Sequence, residues 1–364
     1  MTPSAPAPAR TAPTPPARGR IRAPVAFDHL GRREAAIRFE VHGTVSRSRH
    51  PAVVLGGISA GRHLAPAPFD PSPGWWPGVV GPGGALDPDR RPLVGLYYLG
   101  GAGRPGKTAR TDPARTRVAA RRCLRPVTTH DQARAVAAVL DHLGIAAASF
   151  VGASYGGMVA LAFAELFPAR VRRLVVLCAA HRTHPMATAV RSVQRAAVSL
   201  GADAGDPARG LALARALAMT TYRSAREFEE RFSPFALRAG TADAAPGVTP
   251  GAARARFPVE EYLEARGTAF VRACGAERFL ALSESIDLHG TRPGSLPAHA
   301  LLVSFDSDVL APPWLMEELA ARQGRSRARH LTIATRYGHD AFLKETEAVS
   351  GCLRRELAGE EVAR

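Results

Sequence analysis

Short apolar strands alternate with helices along most of this chain, and the alternation breaks once, between His184 and Gly290, where only helices can be read. The strand segments are AAIRFEVHG, PAVVLGGIS, RPLVGLYYL, AASFVG, RRLVVLCA, ALLVSF and ARHLTIAT. A helix opens at Thr129, a residue suited to an N-cap, and carries Ala133, Val136, Ala137, Leu140 and Leu143 at helical spacing. Gly144 is placed to stop it. Strands separated by helices in this way build a parallel sheet covered on both faces. The interruption reads differently: VRSVQRAAVSL, PARGLALARALAMTTYRS, AREFEERF, VEEYLEARGTAFVRAC and AERFLALSESIDL follow one another with no convincing strand between them. The expected organisation is an α/β core formed by residues 23–183 and 291–364, with residues 184–290 inserted as a helical cap over the C-terminal edge of the sheet.

Residues 1–22 are dominated by Pro, Ala, Thr and Arg with little to bury, and are expected to stay disordered or extended. The rest is long enough for one large domain, and hydrophobic residues, 46% of the 364, supply its core. No run reaches the roughly 18 consecutive apolar residues of a membrane span, and the N-terminus lacks the apolar centre of a signal peptide. A soluble cytoplasmic protein with no membrane partner is expected. The formal net charge of +16 raises the question of nucleic acid. Nearly all the basic residues are arginines scattered among Ala and Pro, however, with Lys107 and Lys344 the only lysines. No zinc-finger, helix-turn-helix or RNA-binding aromatic motif accompanies them, so no nucleic-acid partner is expected. Cys123, Cys178, Cys274 and Cys352 lie far apart without a CxxC pair, which fits free thiols better than a metal site or a disulfide framework.

The chemistry begins at Gly152-Ala153-Ser154-Tyr155-Gly156, a G-x-S-x-G sequence with a strand ending at Gly152 and a helix starting near Gly156. So sharp a strand-to-helix turn strains the serine backbone and leaves no room for side chains at the flanking positions. A serine hydroxyl is a poor nucleophile until a base takes its proton, so a histidine and an orienting acid are required, in the chain order Ser, acid, His. Strand ALLVSF ends at Asp306-Ser307-Asp308, which offers two acids, and HLTIAT is followed by Arg336-Tyr337-Gly338-His339-Asp340. His339 is preferred over His330, which falls at the start of a strand and hence at the wrong end of the sheet. His63, close to an early glycine turn, is read as outside the catalytic set. An oxyanion needs two donors: the backbone N–H of Tyr155, and a second from the loop in VVLGGISAGRH that contains Gly56, Gly57 and Ile58.

Taken together, these stretches resemble the homoserine O-acyltransferases of the α/β-hydrolase superfamily, which activate homoserine's hydroxyl for methionine synthesis. The similarity is carried by GGISAGRH, GWWPGVVGPGGALD, VGASYGGMVALAFAELFPARV, TTYRS, SFDSDVLAPP and YGHDAFLKE, in order from roughly residue 50 to 345. It implies an α/β-hydrolase fold with a cap, a ping-pong reaction through an acyl-Ser154 intermediate, acyl-coenzyme A as co-substrate with no bound cofactor, homoserine as acceptor, and a homodimer. Matched residue by residue, Ser154 is the nucleophile, His339 the base, and Asp308, ahead of Val309-Leu310-Ala311-Pro312, the acid in preference to Asp306. Ile58 and Tyr155 match the oxyanion donors. Arg223, in TTYRS, matches the arginine that holds homoserine's carboxylate, and Asp340 the aspartate that holds its amine. A guanidinium and a carboxylate near the nucleophile suit the two charges of any amino acid.

The chain departs from many members at GGISAG, where a histidine-led turn is common, at Val309, where they carry a bulkier aromatic residue, and through residues 95–127, which are Arg- and Ala-rich. The same triad would also serve a serine O-acyltransferase, an esterase or a thioesterase. Acetyl and succinyl donors are not separated by any feature of the sequence.

Overall fold

The computed structural model of the chain describes residues 18–46, 49–100, 125–232, 234–235, 256–292, 296, 300–324 and 327–358. Strands β1 (Arg18–Phe27), β2 (Gly31–His42), β3 (Ala52–Leu55), β4 (Leu93–Tyr97), β5 (Ala148–Ala153), β6 (Val171–Leu177), β7 (Ala300–Phe305) and β8 (Ala328–Ile333) form one sheet in the order β1-β2-β4-β3-β5-β6-β7-β8. From β4 to β8 all neighbours are parallel, and the β1–β2 hairpin joins β4 antiparallel. This is the α/β-hydrolase architecture expected from the sequence.

The central strands β3, β4, β5 and β7 are largely apolar and buried because both faces of the sheet are covered there. Along β3, Val53 and Leu55 point into a core with Phe150, Leu174 and helices α1 (Thr129–His142) and α2 (Tyr155–Leu166). Ala52 and Val54 point the other way, into a core with Val151, Val175 and Val303. Helix α1 starts one residue earlier than the sequence suggests, since Thr128 and not Thr129 is its N-cap. The Thr128 hydroxyl accepts from Asp131 N at 3.1 Å, and the Asp131 carboxylate accepts from Thr128 N at 2.9 Å.

The tail expected over residues 1–22 is too long. Arg18–Arg22 already belong to β1, paired with Ala36–Glu40 of β2. Arginines 18, 20 and 22 alternate there with Gly19, Ile21 and Ala23 on an edge strand, where Pro24 costs no ladder hydrogen bond on the open side. Residues 1–17, Lys107, Cys123 and most of the divergent 95–127 segment lie outside the described residues.

Between β6 and β7 come α3 (Pro185–Asp203), α4 (Pro207–Tyr222), α5 (Ala225–Arg231), α6 (Pro258–Ala273) and α7 (Ala276–Asp287), with no strand among the described residues. They share a core of their own, built from Val198, Leu211, Ala214, Phe270, Cys274 and Phe279. After β7 follow α8 (Pro313–Gln323), α9 (Ala341–Lys344) and α10 (Thr346–Ala358). Among the described residues no helix is long and apolar enough to cross a membrane, and Cys178, Cys274 and Cys352 are free and buried.

Strand order positions the site. The chain leaves β3 for β4 on one side, then crosses back to β5 on the other, so the loops after β3 and β5 diverge from adjacent carboxyl ends and leave a crevice between them. Pairing of Leu55 with Gly152 places Gly56–Ile58 directly beside Ser154.

Candidate active site

Ser154 sits between β5 and α2 at φ +54°, ψ −123°, a region side chains rarely occupy. The tightness has two local causes. A Cβ at Gly152 would collide with the carbonyl of Gly156, and one at Gly156 would collide with that of Leu55, so only glycine permits the turn. Ser154 N donates to Leu177 O at 2.9 Å, which ties the elbow to β6.

Three separate loops meet at the serine. His339 Nε2 lies 2.7 Å from Ser154 Oγ, and His339 Nδ1 lies 2.7 Å from Asp308 Oδ2. The other carboxylate oxygen of Asp308 accepts from Leu310 N at 2.8 Å and Ala311 N at 3.1 Å, which fixes the acid's orientation. Asp306 points elsewhere: its Oδ1 accepts from Thr335 N at 2.8 Å. Ser307 completes the stitching, donating to Thr335 O at 2.7 Å and accepting from Gly338 N at 3.1 Å. Burial by itself would push the His339 pKa down, but the carboxylates of Asp308 and Asp340 outweigh it and hold the imidazole above its ordinary value.

The loop after β3 faces the serine, since a Cβ on Gly57 would lie 3.8 Å from Ser154 Cβ. Ile58 and Tyr155 both line the cavity above it. Because α2 begins at Tyr155, its first N–H groups have no acceptor within the helix and face the serine's end. Buried phenols brace both segments. Tyr98 Oη donates to Gly56 O at 2.6 Å, and Tyr155 Oη is held by Ser285 Oγ at 2.7 Å and Gln132 Nε2 at 3.2 Å. Burial pushes the Tyr155 hydroxyl up to about 12, so it stays a neutral hydrogen-bonding group.

Arg223 and Asp340 meet each other, with Arg223 Nη2 3.3 Å from Asp340 Oδ2. Nη1 of the arginine faces both carboxylate oxygens of Glu227 at 3.4 Å, and its buried Nε has no hydrogen-bond partner among the described residues. Asp340 lines the cavity, as do Thr221 and Tyr222, the two residues before Arg223. His63 and His330 are elsewhere. His63 Nδ1 lies 2.9 Å from Glu40, and His330 pairs with Ser304 Oγ at 2.8 Å on β7.

The cavity measures about 200 Å³. Its roof contains residues that sequence reasoning missed: Arg191 and Gln194 of α3, and Arg215 of α4. Helical periodicity marks α3 and α4 as cap helices but carries no signal that this face closes over Ser154.

A family model for the α/β hydrolase fold matches residues 104–346. The chain is 39% identical over 353 residues to a homoserine O-succinyltransferase of Xanthomonas campestris pv. campestris, covering 96% of this chain and 86% of that protein. It is 36% identical over 349 residues to a homoserine O-acetyltransferase of Thermus thermophilus, covering 88% and 85%. Among solved structures, a homoserine O-acetyltransferase from Bacillus anthracis superposes with a TM-score of 0.77 at 17% identity, over 93% of this chain and 97% of that one, a likeness of fold.

Proposed function

The chain belongs to the homoserine O-acyltransferases built on the α/β-hydrolase fold, and from that premise we propose that it works by a ping-pong mechanism through an ester on Ser154. The observation that carries this reading is the unbroken chain from Ser154 Oγ through His339 to Asp308, with each link at 2.7 Å, at the floor of the cavity.

In the first half-reaction His339 Nε2 takes the Ser154 proton as Oγ attacks the thioester carbonyl of acyl-coenzyme A. The oxyanion is received by the N–H groups of Tyr155 and Ile58. Collapse breaks the C–S bond, the proton on His339 goes to the departing sulfur, and the acyl group remains on Ser154. In the second half-reaction homoserine's hydroxyl gives its proton to His339 and attacks the ester carbonyl. The C–Oγ bond breaks, Ser154 recovers its proton and O-acylhomoserine leaves, the form of homoserine drawn on in methionine biosynthesis.

Arg223 and Asp340 suit the acceptor. A zwitterion entering between them exchanges one ion pair for two, carboxylate to guanidinium and ammonium to aspartate, so no buried charge is left alone. The free Nε of Arg223 supplies the second tooth of a bidentate contact. An esterase of apolar substrates has no use for this pair.

Two further parts of the reading concern assembly and location. Met186, Val193 and Leu200 lie seven residues apart along α3 and are 66%, 56% and 70% exposed, an apolar row suited to a second copy in a homodimer. A cytoplasmic location agrees with the buried free thiols and with the need for an acyl-coenzyme A supply.

Release of free coenzyme A, followed with homoserine, with serine and with no acceptor, tests the function. Homoserine-dependent release together with one acyl group trapped on Ser154 when acceptor is withheld is the expected result. Release at the same rate without acceptor would make the protein a thioesterase, and faster release with serine would change the acceptor.

A further inference from the structure

Outside the cavity, three side chains converge at the C-terminal end of β2. Glu40 and His42 stand two residues apart on that strand and share a face, and His63 reaches them from the loop that follows β3. His63 Nδ1 lies 2.9 Å from Glu40 Oε2, and His42 Nε2 lies 3.7 Å from the same oxygen. One ligating atom from each of the three lies within 4.8 Å of the others. The His42 contact is too long for a hydrogen bond. His42 is 4% exposed, and its buried Nε2 has no hydrogen-bond partner among the described residues. Such a nitrogen is costly to bury unless something other than the protein's own groups takes it up.

The surroundings orient these three atoms toward one point. The other oxygen of Glu40, Oε1, accepts from Arg18 Nε at 2.9 Å and from Arg62 Nε at 2.8 Å, which pins the carboxylate and turns Oε2 to the rings. His63 Nε2 lies 2.9 Å from Ser72 O; a carbonyl only accepts, so Nε2 carries the proton and Nδ1 presents a lone pair. Metal-bound histidines commonly donate their second ring N–H to a carbonyl in this way. Nδ1 and the anionic Oε2 then need a cation between them. Arg18 also pairs with Asp70, so the two guanidinium charges are matched by two carboxylates before a cation enters. Phe69 packs edge-on against both rings, and His63, at 15% side-chain exposure, leaves one side open.

We infer that Glu40, His42 and His63 form a three-ligand site for a divalent transition metal of the zinc class, with water completing the coordination from the open side. A second proton on His63 would bridge Nδ1 to Glu40 but leave His42 Nε2 orphaned, whereas a metal ion satisfies all three. Two imidazoles and a carboxylate are a donor set that zinc takes, and tetrahedral ligands around zinc stand about 3.3 Å apart. The 2.9 and 3.7 Å separations at Glu40 Oε2 bracket that value. Cys178, Asp308 and His339 also lie close together, but both ring nitrogens of His339 are already engaged, by Ser154 and Asp308. The task of the ion is structural. His63 belongs to the loop that begins at Gly56, and Trp75 N donates to its carbonyl at 3.2 Å, so a metal on His63 clamps that loop to β2.

The test uses the full chain without an affinity tag, stripped with a chelator and titrated with zinc chloride, for the wild type, His42→Gln and His63→Gln. Calorimetry and metal analysis of the gel-filtered protein should find one zinc per chain in the wild type. Either substitution should weaken binding by roughly 100-fold or more, beyond the loss typical of removing an outer partner of a ligand. Cobalt(II) in place of zinc should give visible absorption bands that both variants lose, a signature that histidines serving only as packing would not produce. Zinc should raise the melting temperature of the wild type and not of the variants. A wild type that retains no zinc overturns the inference, as does zinc bound equally by all three proteins. Zinc that settles at Cys178 and His339 would stop acyl transfer and survive both substitutions, which overturns it too. Should His42→Gln fail to fold, the wild-type stoichiometry and His63→Gln, on the more exposed ring, still decide.

Discussion

Arg223 and Asp340 neutralise each other across 3.3 Å, at 10% and 13% side-chain exposure. On the proposed reading, each is thereby held in place for the opposite charge of an amino acid. Loading of Ser154 from acyl-coenzyme A needs neither of them, so Arg223→Ala should lower kcat/KM for homoserine by roughly 10- to 100-fold, on the scale of one charge-assisted bidentate contact. Rapid mixing should show the acylation burst largely retained, with slow hydrolysis of the waiting ester. An equal loss in both half-reactions would move the amino-acid site away from Arg223.

The two aspartates at the end of β7 should separate cleanly. Asp308→Asn keeps the shape but removes the charge that orients and stabilises His339, and should reduce turnover by about 10³- to 10⁴-fold. Asp306→Asn touches only the amide of Thr335 and should cost far less. Steady-state rates of the two variants side by side check this, and a reversed order would transfer the acid's role to Asp306.

His339 must be neutral to take the Ser154 proton, and its pKa is held above 6.5 by Asp308 and Asp340 against the effect of burial. Activity is therefore lost as pH falls through that raised value, earlier on acidification than for an ordinary histidine. Asp308→Asn removes the larger of the two carboxylate effects, so its acid limb should shift to lower pH even as the rate drops. The pH profile of kcat/KM for the donor measures both limbs. An unmoved limb in the variant would mean that another group titrates.

If α3 pairs with its copy, charging the exposed row should undo the pairing. Val193→Glu combined with Leu200→Glu places carboxylates where two apolar surfaces would meet and should convert dimer to monomer in sedimentation. Unchanged mass in the variant, or a wild type that is already monomeric, would refute this face as the interface.

Ser154, Tyr155 and His339 were legible because each stands in a short segment whose backbone geometry is dictated locally, by glycines and strand ends. Asp308 was legible only through its neighbours in the chain, since Asp306 has the same chemistry and nearly the same address. What separates them is a three-dimensional fact: Asp308 turns inward to His339, and Asp306 outward to cap Thr335 N. Strand β1 escaped because arginines on its open face mask the alternation of Ile21, Ala23, Val25 and Phe27 beneath them. Arg215 was invisible for a deeper reason. The pattern of α4 reveals that Leu211, Ala214 and Ala218 are buried, but not that the helix's adjoining side overhangs a serine from another part of the chain.

The hydroxyl of Tyr155 belongs to the same residue whose amide faces the oxyanion, and its hydrogen bond to Ser285 reaches into α7. Arg278 of that helix donates to Tyr98 O at 2.9 Å, and His289 just beyond it lies 2.8 Å from Thr129 Oγ1 at the head of α1. The cap is thus not a module that could be exchanged like a cassette. A graft from a relative that lacked these three side chains would leave the buried phenol with Gln132 alone and take these partners from the Tyr98 carbonyl and the Thr129 hydroxyl, and a hinged lid would have to break the same contacts at every turnover. Heat should accordingly melt cap and sheet in a single transition, and substrates should enter through the cavity's mouth with the roof in place.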